Sequence, residues 1–270
     1  MTVRTPVFSW RRVWAMMLRH LYLLRSSWPR LLDLVYWPVV QMIVWGFISQ
    51  FFSTHSSWVA QAAGVLLGAV LLWDVMFRGN ISLSLSFLEE MWSRNLGHLA
   101  VSPLRPIELV VALIAMSLIR TLLGVAPAAL LAIPLYHYSI FDMGLPLLSF
   151  FANLMMTGWF IAFIVSAMVL RFGLGAESMA WALIFGLSPI SGIYYPIDVL
   201  PPWLQTVAWC LPPAYVFEGM RGVMFDHLFR WDLFFGALGL NVLCLGGAVG
   251  LFLFTFHVAR KRGLLLGMGE

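Results

Sequence analysis

Charge is what this chain has least of. Of its 270 residues 10% are Asp, Glu, Lys or Arg, against 61% hydrophobic, and the mean hydropathy is +0.90. A soluble domain of this size needs more polar side chains to cover its outside, so the chain reads as an integral membrane protein. Lysine is nearly missing. The single one, Lys261, stands in AlaArgLysArgGly, so there is no GxxxxGK[ST] phosphate loop and the chain is not expected to bind or hydrolyse ATP itself. Two cysteines, Cys210 and Cys244, form no CxxC, which argues against a disulfide framework or a thiolate metal site. The six histidines are scattered, with no HExxH and no compact Ser/His/Asp set, so neither a metal nor covalent catalysis is expected. Arg4, Arg11, Arg12, Arg19 and Arg25 interrupt any apolar core a cleavable leader would need.

What is present is organised in long apolar runs. No charged residue occurs between Asp33 and Asp74, and the SerThrHisSerSer patch at 53–57 divides that interval. With about 20 apolar residues per crossing, six spans are expected, at 32–52, 59–79, 108–133, 146–170, 178–190 and 233–259. Pro38 is expected to kink the first. Ahead of them, the five arginines fall within one arc of a helical wheel and Val13, Met17 and Leu24 lie opposite. Residues 6–25 therefore read as an amphipathic helix at the membrane surface, with Trp10, Trp14 and Trp28 at headgroup depth. The division is a basic interfacial segment at 1–30 and a transmembrane domain at 31–270.

The longest polar interruption is FLEEMWSRNLGHLAVSPLRPIEL, 87–109. As a helix over 87–97 it would expose Glu89, Glu90 and Arg94 and offer Met91, Trp92 and Leu96 as apolar anchors, which suits docking on another protein. An ordinary solvated loop fits the same residues. Pro103 and Pro106 stop and restart the chain.

Few ionisable residues fall within the spans. Asp33 is placed near an inner end, either snorkelling or held by an arginine. Asp74 and Arg78, four apart, are expected to pair. Arg120, near the middle of the third span, is a functional candidate, or else faces a watery cavity or backbone carbonyls. Small residues recur every four positions at Ala60, Gly64 and Gly68, at Gly158, Ala162 and Ser166, and at Gly246 and Gly250, where helices can approach closely; internal packing is the ordinary meaning. The Pro-rich stretch 190–217 reads as re-entrant or outer helices, since irregular backbone at membrane depth must be covered by protein or water. Thirteen of the sixteen basic residues fall on one side when both termini are placed in the cytoplasm, leaving Arg221 and Arg230 outside and Arg120 in the bilayer. A seventh span at 199–217 would put Arg260 to Arg262 outside.

The order of a basic amphipathic segment, two spans, GluGlu-x-TrpSerArgAsnLeu followed by SerProLeuArgProIleGlu, three spans, and LeuProPro-x-Tyr-x-x-GluGlyMetArg before the last span resembles the permease subunit of type-2 ATP-binding-cassette exporters. The resemblance covers nearly the whole chain and is most specific at 89–108 and 188–221. It implies a half-transporter of the bacterial inner membrane, paired with a second permease copy as a homodimer and driven by a separate cytoplasmic ATPase that carries the ATP and Mg. It also implies an ATPase-coupling helix at Glu89, Glu90, Met91, Trp92, Arg94 and Leu96, and an outer gate at Tyr194, Tyr195, Glu218 and Arg221. Glu218 and Arg221, three apart on a helix, equally suit a plain structural pair. The cargo would be an amphipathic drug, lipid, glycolipid or polysaccharide moved outward among membrane lipid, with no nucleic-acid partner. A secondary carrier would show paired carboxylates in its spans, and a membrane scaffold would need no polar path.

Overall fold

A computed structural model describes residues 8–53 and 57–263; the SerThrHisSerSer patch falls partly outside them, as do Arg4, the start of the interfacial segment and residues 264–270. Among the described residues the chain is helical throughout, with no strand. Helix α1, Trp10–Arg25, is followed by α2, Trp28–Ser53, and α3, Ser57–Trp92. A short α4, Leu96–Val101, leads to α5, Pro106–Tyr136, and α6, Leu145–Phe172. Then come α7, Met179–Leu187, α8, Pro202–Trp209, α9, Pro212–Asp226, and α10, Trp231–Lys261.

Five of these are long and apolar enough to cross a bilayer: Trp28–Phe51, Gly64–Trp92, Pro106–Tyr136, Leu145–Phe172 and Trp231–Lys261. The sixth expected crossing is the shorter apolar stretch Leu174–Ile190. As continuous α-helix its 17 residues would rise about 26 Å, less than the ~30 Å hydrocarbon core. Its α-helical part is only the nine residues of α7, with tighter turns at either end.

The core is α3 against α6, with α10 on the far side of α6 and α2 and α5 on the other side of α3. Gly158 sets the α3–α6 distance. A Cβ there would lie 2.6 Å from the Met76 carbonyl oxygen and 2.8 Å from the Asn80 nitrogen. Close approach through small residues is how apolar helices associate in lipid. The glycine stripe of α10 behaves otherwise, because a Cβ at Gly246 or Gly250 meets nothing within 4 Å. Buried polar side chains then fix the register. Asn241 Nδ2 donates to Asn153 Oδ1 at 3.0 Å, Thr157 donates to Asn241 Oδ1 at 2.9 Å, and Ser117 donates to the Gly79 carbonyl at 2.9 Å. Pro38 sits inside an uninterrupted α2.

The bundle has two distinct ends. One gathers α1, the last turn of α3, the start of α5 and the Lys261 end of α10. The other holds the turn at 137–144 and the irregular segment 188–201, which precedes α8.

Candidate functional site

The expected helix 87–97 does not exist as a separate element. Helix α3 continues unbroken to Trp92, Arg94 takes a left-handed φ of 53°, and α4 begins afresh at Leu96. Asn95 closes the break by returning its N–H to the Glu90 carbonyl at 2.9 Å and its side-chain amide to Glu90 Oε2 at 2.6 Å. This corrects which residues face outward. Leu83, Phe87, Glu90 and Met91 recur at helical spacing on the buried side of α3, and Leu96 is buried as well. Glu90 is therefore inside, whereas Trp92 is 48% exposed and Arg94 is exposed beside it.

Helix α1 covers both carboxylates, Glu90 completely and Glu89 in part. That helix turns Val13, Met16, His20 and Leu24 inward and leaves Trp10 and Trp14 exposed, as an interfacial helix should. Arg19 donates to Glu90 Oε2 at 2.6 Å. Glu89 lies 3.2 Å from Arg30 on α2 and accepts from Arg120 on α5 at 3.3 Å. His20, fully buried, sits between the carboxylates, with Nδ1 3.8 Å from Glu89 and Nε2 3.7 Å from Glu90, and neither nitrogen has a hydrogen-bond partner. Four helices thus meet on two adjacent glutamates. A second tie lies a short way along α1. Arg12 reaches Glu108 with Nε at 2.8 Å and Nη2 at 2.5 Å, and the Ser9 and Arg105 N–H groups donate to the same carboxylate at 2.8 and 3.0 Å. The hydrogen bond to Glu108 raises the Arg12 pKa above its ordinary value.

Of the intramembrane candidates, Arg120 belongs to this cluster. Asp33 is close to it, accepting the Trp37 indole N–H at 3.0 Å. Asp74 and Arg78 do not form the expected pair: both are buried, no ion pair within 4.0 Å joins them, and Asp74 Oδ2, Arg78 Nε and Arg78 Nη2 lack partners. A spacing of four on one helix face permits such a pair without enforcing it.

At the opposite end Glu218 and Arg221 do come together, 3.0 Å apart, and both also hold the irregular segment. Glu218 accepts the Ile197 N–H at 2.8 Å, while Arg221 Nη2 donates to the carbonyls of Gly192 and, at 2.9 Å, Tyr195. Burial pulls the Arg221 pKa below its ordinary value, and Glu218 opposes that pull. Tyr195 donates to the Pro189 carbonyl at 2.5 Å; Tyr194 stacks on Trp45 of α2 with ring centroids 5.1 Å apart. These contacts satisfy backbone groups that lipid would leave unmatched.

Sequence reading passed over Arg19, His20 and Arg30, whose roles depend on helices distant in sequence, and Asn95, whose partner Glu90 is only five residues away. Glu108 was within reach. Proline at the first helical position and Glu at the third mark a capped N-terminus, and the Arg105–Glu108 box is formed. Among the described residues no three His, Cys, Asp or Glu side chains gather to hold a metal ion.

No curated protein has a significant match to the chain. The family model described as ABC-2 type transporter matches residues 11–225, from α1 through nearly all of α9. With apolar helices long enough for several crossings and a match over most of its length, the chain belongs to the ABC-2 type transporter family as a membrane-embedded permease subunit.

Proposed function

We propose that this permease subunit moves an amphipathic substrate outward across a bacterial inner membrane, driven by a separate cytoplasmic ATPase that presses on the end of the bundle formed by α1, α4 and the last turn of α3. The observation carrying this reading is the junction at Glu89 and Glu90, where α1, α2, α3 and α5 are tied by ion pairs beside exposed Trp92 and Arg94. A partner touching Trp92 moves the end of α3, and the tied helices move with it. Both termini lie on the ATPase side. A second copy of the chain completes the path, consistent with the wide apolar faces that α2 and α10 leave uncovered. The tilt of α2, α3 and α7 against that copy opens the outer end, where Glu218 and Arg221 brace the segment that must shift.

The test is co-reconstitution of the permease with its ATPase in vesicles. ATP-dependent outward movement and ATPase co-purification, both reduced in Trp92→Ala, support the reading. Transport that persists without the ATPase overturns it in favour of a secondary carrier.

A further inference from the structure

Between α2, α3 and α5, close to the junction, lies a cavity of about 340 Å³ whose polar lining is Arg30, Asp33, Arg78, Ser82, Glu89 and Arg120. Three guanidinium groups face two carboxylates, and those carboxylates are engaged. Glu89 is shared by Arg30 and Arg120, and Asp33 accepts from Trp37. Three donors are unused: Arg78 Nε and Nη2 and Arg120 Nε have no hydrogen-bond partner, although the two residues are only 4% and 5% exposed. Asp74, one turn earlier on α3, does not line the cavity. An arginine cannot shed its proton to escape such a position, and unsatisfied buried charged donors are strongly disfavoured. Two side chains that line one space thus carry unpartnered guanidinium N–H groups, the donor chemistry that fits the oxygens of a phosphate.

The cavity also has an apolar approach. Leu34 and Trp92 line it beside the polar groups. The neighbouring turns of α2 expose Leu31, Leu32, Tyr36 and Trp37, and an acyl chain can lie along these while its headgroup enters between α2 and α3.

We propose that this cavity is a binding site for the phosphodiester headgroup of an anionic membrane lipid, with Arg78 and Arg120 as the phosphate ligands and the lipid tail on α2. The site is complete within one chain and its occupancy requires neither ATP nor transport, so it stands or falls separately from the transport reading.

The full-length permease, purified in detergent and stripped of lipid, is titrated with phosphatidylglycerol, phosphatidylcholine or inorganic phosphate and followed by native mass spectrometry. One phosphatidylglycerol per chain is expected to bind in preference to phosphatidylcholine, with inorganic phosphate failing to displace it. Arg78→Gln weakens that binding about tenfold, the size of one charge-assisted contact, while Arg78→Lys recovers part of it and Arg171→Gln, at the end of α6, leaves it unchanged. Leu85→Trp, which fills the cavity wall without altering charge, is the second variant and gives the same loss should Arg78→Gln fold poorly. Equal binding of the two lipids, displacement by inorganic phosphate, or undiminished binding in both Arg78→Gln and Leu85→Trp overturns the assignment.

Discussion

Arg12 and Glu108 face each other fork to fork, with Nε and Nη2 of the arginine on the two carboxylate oxygens at 2.8 and 2.5 Å. Two parallel bonds fix direction as well as distance, so α1 is held at a set angle to the first turn of α5. Arg12→Lys keeps the charge but loses the fork. It is expected to leave folding intact while lowering ATPase-coupled transport, and hydrogen exchange along α1 should quicken. Unchanged exchange would show that the other α1 contacts suffice.

Glu90 and Trp92 are two residues apart and should give opposite phenotypes. Glu90→Ala strips the buried acceptor from Arg19 and Asn95 and should cost about 2 kcal/mol, since Arg19 remains partly solvated. Trp92→Ala alters an exposed side chain and should fall within about 0.5 kcal/mol of wild type in thermal unfolding, yet reduce ATPase co-purification. A stable Glu90→Ala protein would contradict the burial of that carboxylate.

Gly158→Ala places a methyl group against α3 backbone and should destabilise by about 1–3 kcal/mol. Gly250→Ala enters open space within the chain and should be neutral in the isolated permease. Thermal midpoints in detergent compare them directly. Equal effects would mean that the two helix faces are packed alike.

Arg221→Lys should release the carbonyls at 192–195, because a single ammonium cannot reach all the acceptors that the guanidinium holds. Faster proteolysis within 190–200 is the readout, together with reduced transport at an unchanged level of folded protein.

The long helices and the amphipathic character of α1 were legible because apolar length and the arginine arc are local properties. The reach of α3 was not. Glu89, Glu90 and Arg94 suggested a surface, and only the helices that fold back over Glu89 and Glu90 cover them, leaving Arg94 exposed. Glu218 with Arg221 was visible as a spacing, while its grip on Gly192 and Ile197 depended on a loop some 25 residues earlier. Arg78 misleads for the opposite reason: a partner four residues away is the obvious choice, yet no ion pair within 4.0 Å joins it to Asp74.

Helix α3 runs 36 residues, about 54 Å, and contains no proline to act as a joint. The nearest break in its path is the left-handed turn at Arg94, outside the helix. On the proposed coupling, a torque at Trp92 would meet no joint within the helix. A stiff shaft would carry it to Asn80, whose side-chain amide holds the Ala180 carbonyl at 3.0 Å, gearing the short seventh helix to an input it never touches.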